Sequence, residues 1–358
     1  MAPRDIGVGS NERVLSRSEK VAAVGAPRLS VVTVSWNTGP HLIEAVASIL
    51  AAPGVDEFVL VNHGNPPEMI QSLRTMAADT DNFVLIETGS NLGFARGCNI
   101  GAQRASGDVI LFLNPDAVLA KGVASRLKAS AKELGEDIWV VGARIVNPDG
   151  SEQRGGRRGE LTPRSAMISF LGLDRFLPFM KSLHFERETL PDAIVPVPVV
   201  SGAAMLMPRR GFLQMGGFDE RYFLHVEDID ICRKVRECGG KVWFEPRASI
   251  VHYGGTSQSS PFFVETHKAL GFIKYFWKYY PGALERLTTM AMILPIFGAI
   301  WGRVTLLQLR NKVRLVTARR KAFARLRRME ARQVARAAQE CAVDTAASQP
   351  PVSESRPL

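Results

Sequence analysis

Two widely separated acidic signatures carry residue types that can do chemistry together: LFLNPDAVL at Leu111–Leu119 and GGFDERYFLHVEDIDICRK at Gly216–Lys234. The first is an apolar run that stops abruptly at Asn114-Pro115-Asp116. A carboxylate at the C-terminal end of a buried strand is where open α/β sheets gather their ligands. The second places Glu227, Asp228 and Asp230 in the opening turn of an expected helix. The first corner can hold a hard divalent cation and, through it, a diphosphate. The second can take a proton from a hydroxyl nucleophile. A group transfer from a nucleoside diphosphate needs both.

Each signature also has a plainer explanation. Asn-Pro-Asp is ordinary turn chemistry after a strand, and acids in a first helical turn favour the helix dipole. Asp230 stands four residues before Lys234, a common helical ion pair. The dipole accounts for one or two acids more readily than for Glu-Asp-x-Asp following Asp219-Glu220. Spacing alone does not choose between Glu227 and Asp228 as the proton acceptor.

The elements that must position these residues read as an alternation of strands and helices. Leu29–Trp36, Glu57–Val61, Phe83–Glu87 and Val109–Leu113 are short apolar, β-branched runs. Helical patterns separate them at Pro40–Ala51, Pro67–Ala78 and Phe94–Ala105, followed by a helix over Lys121–Leu134 and a strand over Ile138–Val146. This pattern predicts a Rossmann-like α/β core with a mainly parallel sheet flanked by helices. Asn147–Arg164 is rich in Gly and Arg and is expected to lack regular structure. Val195–Met207 returns to strand-like sequence around Ser201-Gly202-Ala203-Ala204, where small residues suit either an approaching sugar or tight packing. A helix over Val226–Cys238 ends at Gly239-Gly240, and Lys241–Glu245 and Ala248–His252 are expected as two short strands. The spacing Gly93, Gly97, Gly101 fits a phosphate-facing corner or close helix–sheet packing.

Composition bounds the class. With 358 residues, 46% apolar and 22% charged, the chain is globular. Its four cysteines (Cys98, Cys232, Cys238, Cys341) show no zinc-type pairing, and a reducing compartment is expected. The first twenty residues lack the apolar core of a secretory signal. The net charge of +10 is local: residues 303–336 hold twelve Lys/Arg against Glu330 alone. The rest of the chain is close to neutral, which excludes a nucleic-acid-binding core and points to a tail that meets an anionic surface. Phe262–Tyr280 interleaves aromatics with lysines, and the apolar stretch after it is broken by Pro295 and Arg303. That combination is expected to lie on a membrane, not to span it. The expected division is an N-terminal arm (1–28), a main domain (29–260), an aromatic and basic helical segment (261–340) and a tail (341–358).

The motifs VVTVSWN (Val31–Asn37), NLGFARGCNIG (Asn91–Gly101), ASGDVILFLNPD (Ala105–Asp116), GGFDERYFLHVEDIDICRK and PRASIVHYGGTS (Pro246–Ser257) occur in this order. The stretch from about Ser30 to Ser257 thereby resembles the inverting family-2 glycosyltransferases of GT-A fold. Within them it looks most like the rhamnosyltransferase-type branch. The resemblance implies a dTDP- or UDP-linked sugar donor, a Mg²⁺ or Mn²⁺ ion, and one-step displacement with inversion. The acceptor it implies is a glycan or lipid-linked saccharide at the cytoplasmic face of the membrane. It places Asp116 and Asn114 at the metal and donor diphosphate, His252 beside them as a further metal contact, and Asp228, with Glu227 next to it, at the base. The residues themselves offer Ser35, Asn37, Asn62, Asn91 and Arg96 as donor contacts and Ser201, Gly202 and His225 as acceptor contacts. Two departures stand out. Where the family has an acidic residue that reads the donor base, this chain has Val61-Asn62-His63-Gly64-Asn65, and where the branch commonly has Arg it has Lys234. Alternatives are a transferase using galactofuranose or hexosamine donors, or a catalytically dead binding or scaffold protein, which retention of both Asp116 and Asp228 disfavours.

Overall fold

The computed structural model describes residues 25–135, 138–171 and 183–291, and scattered residues from 293 to 317. In chain order the first half contains β1 (Leu29–Trp36), α1 (His41–Leu50), β2 (Glu57–Gly64), α2 (Pro67–Ala78), β3 (Phe83–Glu87), α3 (Phe94–Arg104), β4 (Val109–Leu113), β5 (Ala117–Val118), α4 (Val123–Leu134) and β6 (Trp139–Val146). The second half contains β7 (Arg157–Arg158), α5 (Pro163–Leu171), β8 (Val195–Pro196), β9 (Val199–Val200), β10 (Ala204–Pro208), α6 (Arg209–Gln214), α7 (Glu227–Glu237), β11 (Lys241–His252) and α8 (Pro261–Tyr279).

The main sheet runs β3-β2-β1-β4-β10-β6-β11-β5, with β8 paired to β11. β3, β2, β1 and β4 are parallel neighbours, as expected, but β10 enters antiparallel between β4 and β6. The long excursion after β6 returns the chain from the far edge, so a reversed strand is the one that fits there. The consequence for function is direct. Because β10 is reversed, its first residues meet the last of β4, with Ala204 opposite Leu113. β11 runs parallel to β6, and its end, His252, pairs with Ala117 of β5, just past Asp116. Both acidic signatures and the histidine are delivered to one sheet edge.

Alternating side chains of the strands feed two layers. Leu29, Val31, Phe58, Leu60, Leu111 and Val141 pack with Leu42, Val46, Leu73 and Leu127 of α1, α2 and α4. On the opposite face, Gly97 and Gly101 let α3 lie against β1. A Cβ at Gly101 would stand 2.4 Å from Val32 Cγ1, and one at Gly97 2.7 Å from Val34 Cγ1. Of the two readings of that glycine spacing, these two positions show close packing. Phe112, Phe212 and Phe218 form an aromatic cluster beside it, with ring centroids 4.8–5.2 Å apart. Strands covered on both faces explain the continuous apolar runs.

Three expectations are corrected. The Gly/Arg-rich stretch is not without structure: Arg157 and Arg158 form β7 and pair antiparallel with Val200 and Val199. A glycine allows it, because a Cβ at Gly142 of β6 would collide with Val200 at 2.4 Å. The two short strands near the end of the domain are one strand, β11, whose register shifts between Glu245 and Ser249, across Pro246. Helix α4 starts at Val123, since Gly122 takes a left-handed φ of 86°.

The expected boundary at residue 260 is crossed by many contacts. Helix α8 buries Ala269, Phe272, Tyr275 and Phe276. Lys278 donates to Asp230 of α7 at 2.8 and 3.0 Å. The Arg233 guanidinium lies 4.1 Å from the Tyr279 ring centroid. The chain separates into compact units at residues 1–299 and 300–358. No helix of the described residues is long and apolar enough to cross a membrane. The arm up to residue 24 and the tail beyond residue 317 lie outside the described residues, as do Arg303 and Arg314.

Candidate functional site

The turn after β4 builds the first corner. Asp116 is 5% exposed. Its Oδ1 lies 3.1 Å from His252 Nε2, and its Oδ2 accepts a 3.0 Å hydrogen bond from the Thr256 hydroxyl. The Asn114 amide is 3.1 Å from the same His252 nitrogen. The other ring nitrogen, Nδ1, is 2.7 Å from Gln153 Oε1, which orients the imidazole. Burial opposes the charged form of Asp116, but His252 and the Thr256 hydroxyl outweigh it and hold the carboxyl below its ordinary value. Asn114, Asp116 and His252 are therefore brought together. Gln153 and Thr256 join them, and neither type nor spacing had singled them out.

The second corner opens α7. Asp228 Oδ2 is ion-paired with Arg158 Nη2 and accepts the Gly202 N–H at 3.2 Å. Its Oδ1 accepts the Ile229 N–H at 2.8 Å. A Cβ on Gly202 would lie 3.2 Å from Asp228 Cβ, so glycine is what lets β10's approach reach the carboxylate. Glu227 is buried, its Oε2 without a hydrogen-bond partner among the described residues. Burial, reinforced by the neighbouring Asp228, pushes its carboxyl well above the usual range. Asp230 points elsewhere, to Lys278 and the Tyr222 hydroxyl, so it is a brace between helices. The two carboxylates of the Glu-Asp pair thus differ in kind: both oxygens of Asp228 collect donors, whereas Oε2 of Glu227 collects none among the described residues.

The corners meet through three residues. Asn114 N–H donates to Ala203 O at 3.0 Å while Gly202 N–H reaches Asp228. Ser201 Oγ accepts the Ala203 N–H at 3.2 Å, closing the turn. His225 is exposed just before α7 and, like Val226, has a left-handed φ (66° and 75°). A β-branched residue in that region is a real outlier, held here because Val226 is buried against Gly271 of α8.

Of the residues expected on the donor side, Ser35, Asn37, Asn62 and Asn91 sit at or just past the ends of β1, β2 and β3, and Arg96 in the first turn of α3. Asn65 Nδ2 donates to Ser35 Oγ at 2.9 Å and to Asn62 Oδ1 at 2.8 Å, which ties the two together. Asn37, at φ 51°, links through its backbone to Gly64 O and Gln258 N. His63 turns inward between Thr88 and Gly93 O, and burial pulls its pKa down. Asn91 Oδ1 accepts the Gly93 N–H at 3.0 Å. Arg96 is exposed on α3, with its Nε 3.7 Å from Glu220. These residues share the same edge of the sheet.

Residues 30–207 match the family model described as Glycosyl transferase family 2. The N-acetylglucosaminyl-diphospho-decaprenol L-rhamnosyltransferase of Mycobacterium tuberculosis (strain H37Rv) is 29% identical over 245 residues, covering 63% of this chain and 76% of its own. The chain carries a family-2 glycosyltransferase domain. The rhamnosyltransferase WbbL of Escherichia coli K12 is 22% identical over 224 residues, 54% of this glycosyltransferase and 82% of that protein. A crystal structure of GalNAc-T7 with UDP, GalNAc and Mn²⁺ shares the fold. It has a TM-score of 0.52 and 20% identity, and the match covers 72% of this chain and 49% of that one. The glycosyltransferase is thus rhamnosyltransferase-like, with a GT-A-type mixed α/β core. Arg158, like Gln153 and Thr256, is a residue of the candidate site that sequence reasoning missed. The only signal for Arg158 was the density of arginines around Gly155-Gly156, which was read as loop composition.

Proposed function

We propose that the chain moves a sugar, rhamnose as the best reading, from a dTDP- or UDP-linked donor to a hydroxyl of a glycan or lipid-linked saccharide, with inversion. The observation that carries this is that the Asn114–Asp116 turn and Asp228 are joined through Gly202 and Ala203, with Asn114 N–H on Ala203 O and Gly202 N–H on Asp228. In a single displacement the acceptor oxygen bonds to the anomeric carbon as the bond to the diphosphate oxygen breaks, and the hydroxyl proton passes to a base. Asp228 suits the base because it is paired with Arg158 and partly open, whereas Glu227 is buried and favours its neutral form.

The first corner fits a divalent cation. With Gln153 fixing Nδ1, His252 turns Nε2 towards a carboxylate oxygen 3.1 Å away, two acceptors that a proton or a cation must bridge. Asp116, His252 and the Asn114 amide would hold the ion. Among the described residues no group of three or more His, Cys, Asp or Glu side chains is gathered for a metal. That suits Mg²⁺ or Mn²⁺, which complete their shells with substrate phosphate and water. A bound ion supplies charge neutralisation for the departing diphosphate. Mn²⁺ in the GalNAc-T7 crystal structure supports this reading.

The acceptor class is supported by the name of the mycobacterial relative, which specifies a lipid-diphosphate saccharide. Attachment to the inner face of the membrane is supported by the basic stretch and by exposed Leu284, Leu287 and Met290. We assign the donor domain to residues 29–280, so that it includes α8. A thermal-shift panel of dTDP-rhamnose, UDP-hexoses, UDP-galactofuranose and UDP-hexosamines, with and without Mn²⁺, tests donor and metal together. Stabilisation by dTDP-rhamnose that requires Mn²⁺ is expected. A response to no nucleotide sugar would favour the scaffold alternative.

A further inference from the structure

We propose that Arg158 is a positioning residue for the reaction: it holds the Asp228 side chain in register, and so selects Asp228 over Glu227 as the base. The inference rests on the transferase reading above. Two adjacent carboxyls in one partly buried helical turn cannot both be charged without cost. The fold sets them apart by placing a guanidinium in contact with one of them. Asp228 Oδ2 takes the Arg158 guanidinium and the Gly202 N–H, while Oδ1 takes only the Ile229 N–H. Glu227 Oε2 is left without a partner. Oδ2 is thereby saturated and Oδ1 keeps the lone pair that receives the acceptor's proton. Arg158 itself neither gains nor loses one.

The placement of Arg158 follows from the β7–β9 ribbon. Adjacent residues of a strand point to opposite faces, and Arg157 turns to Glu152 at 2.8 Å and to Phe244. Arg158 therefore turns the other way, to α7. Arg158 also keeps little freedom there, since its side chain is 15% exposed and its Nε is buried. From outside α7, Arg158 and His225 face Asp228, with Lys268 and His267 of α8 beyond His225. From within α7, Glu227 and Cys232 face it, with Asp230 beside Glu227 and Arg236 beside Cys232; Cys98 of α3 stands next to Glu227. Of these groups, Arg158 is the cation in contact with the carboxylate.

The test is kcat and KM for the full chain, its Arg158→Met and Arg158→Lys variants, and Asp228→Asn, with calorimetric binding of dTDP or UDP. Arg158→Met is expected to lower kcat by up to about 10²-fold, the cost of a misplaced reacting group, with nucleotide binding and the donor KM unchanged. Arg158→Lys keeps the charge and loses the fork, so an intermediate kcat is expected. An unchanged kcat, or an Arg158→Lys variant no more active than Arg158→Met, would show that Arg158 only supports the ribbon and would overturn the proposal. If Arg158→Met fails to bind nucleotide, Arg158→Gln is read by the same criterion. Full activity of Asp228→Asn would instead overturn the base assignment, which is a different outcome from either.

Discussion

Asp116 and Asp228 are both carboxylates at one sheet edge, yet their surroundings assign them different work. Asp116 faces an imidazole nitrogen that has a fixed partner behind it, while Asp228 faces an arginine and two backbone N–H groups. Asp116→Asn keeps the shape and removes the charge, so transfer is expected to be lost with little change in melting temperature. Wild-type activity that survives EDTA would contradict the metal part of that expectation. Asp228→Asn should lower kcat by roughly 10²–10⁴ with nucleotide binding retained, the range for loss of a general base. Glu227 allows a test of sign. Its folded-state pKa is raised by burial, so the folded chain binds more protons than the unfolded one above the ordinary glutamate value. Stability attributable to it therefore falls as pH rises towards the raised value. Glu227→Gln removes that penalty, and its melting temperature should gain on the wild type as pH goes from 5 to about 9. A constant difference across pH would show that Glu227 ionises without cost.

At the scale of elements, α7 is aimed by its neighbours. Its first turn follows the strained His225–Val226 pair, and its middle is braced by α8 through Lys278 and Arg233. Lys278→Met leaves Asp230, 1% exposed, with the Tyr222 and Tyr279 hydroxyls but no ammonium. Breaking a buried pair from one side costs about 3–5 kcal/mol, so a fall of that size is expected in denaturant titrations. A loss under about 1 kcal/mol would mean that the Tyr222 and Tyr279 hydroxyls satisfy the carboxylate. The same elements mark what could be read from sequence. The β1–β4 alternation, α3 and the start of α7 were legible because burial on both faces writes itself into apolar runs and caps. β10's reversed direction was not legible, since five apolar residues look the same in either direction. Arg157-Arg158 was missed because two residues carry no periodicity, and their strand depends on an absent side chain at Gly142 in another element. Asp230 looked like the partner of Lys234, four residues on. Its actual partner is Lys278, a tertiary contact that spacing within a helix does not report.

At the scale of the whole molecule, the question is which part of the C-terminal region serves the fold and which could serve a membrane. Helix α8 serves the fold: ending the chain near Ser260 would remove Phe272, Tyr275, Phe276 and Lys278 from their buried or paired positions. That truncation is expected to yield no nucleotide binding. Ending it at Ala299 keeps the first compact unit whole and removes the net excess of eleven positive charges between residues 303 and 336. Each basic side chain that reaches an anionic leaflet contributes about 1 kcal/mol, screened by salt. Exposed Leu284, Leu287 and Met290 remain in the shorter chain and offer only an apolar, salt-insensitive contact. The full chain should therefore co-sediment with phosphatidylglycerol vesicles and be weakened, not released, by high salt. The 1–299 chain should bind the same vesicles feebly and with little salt dependence while binding nucleotide normally. Equal binding and equal salt dependence of the two chains would place the membrane contact before residue 300. A full chain that ignores the vesicles would remove the membrane from the mechanism and leave the acceptor to be met in solution.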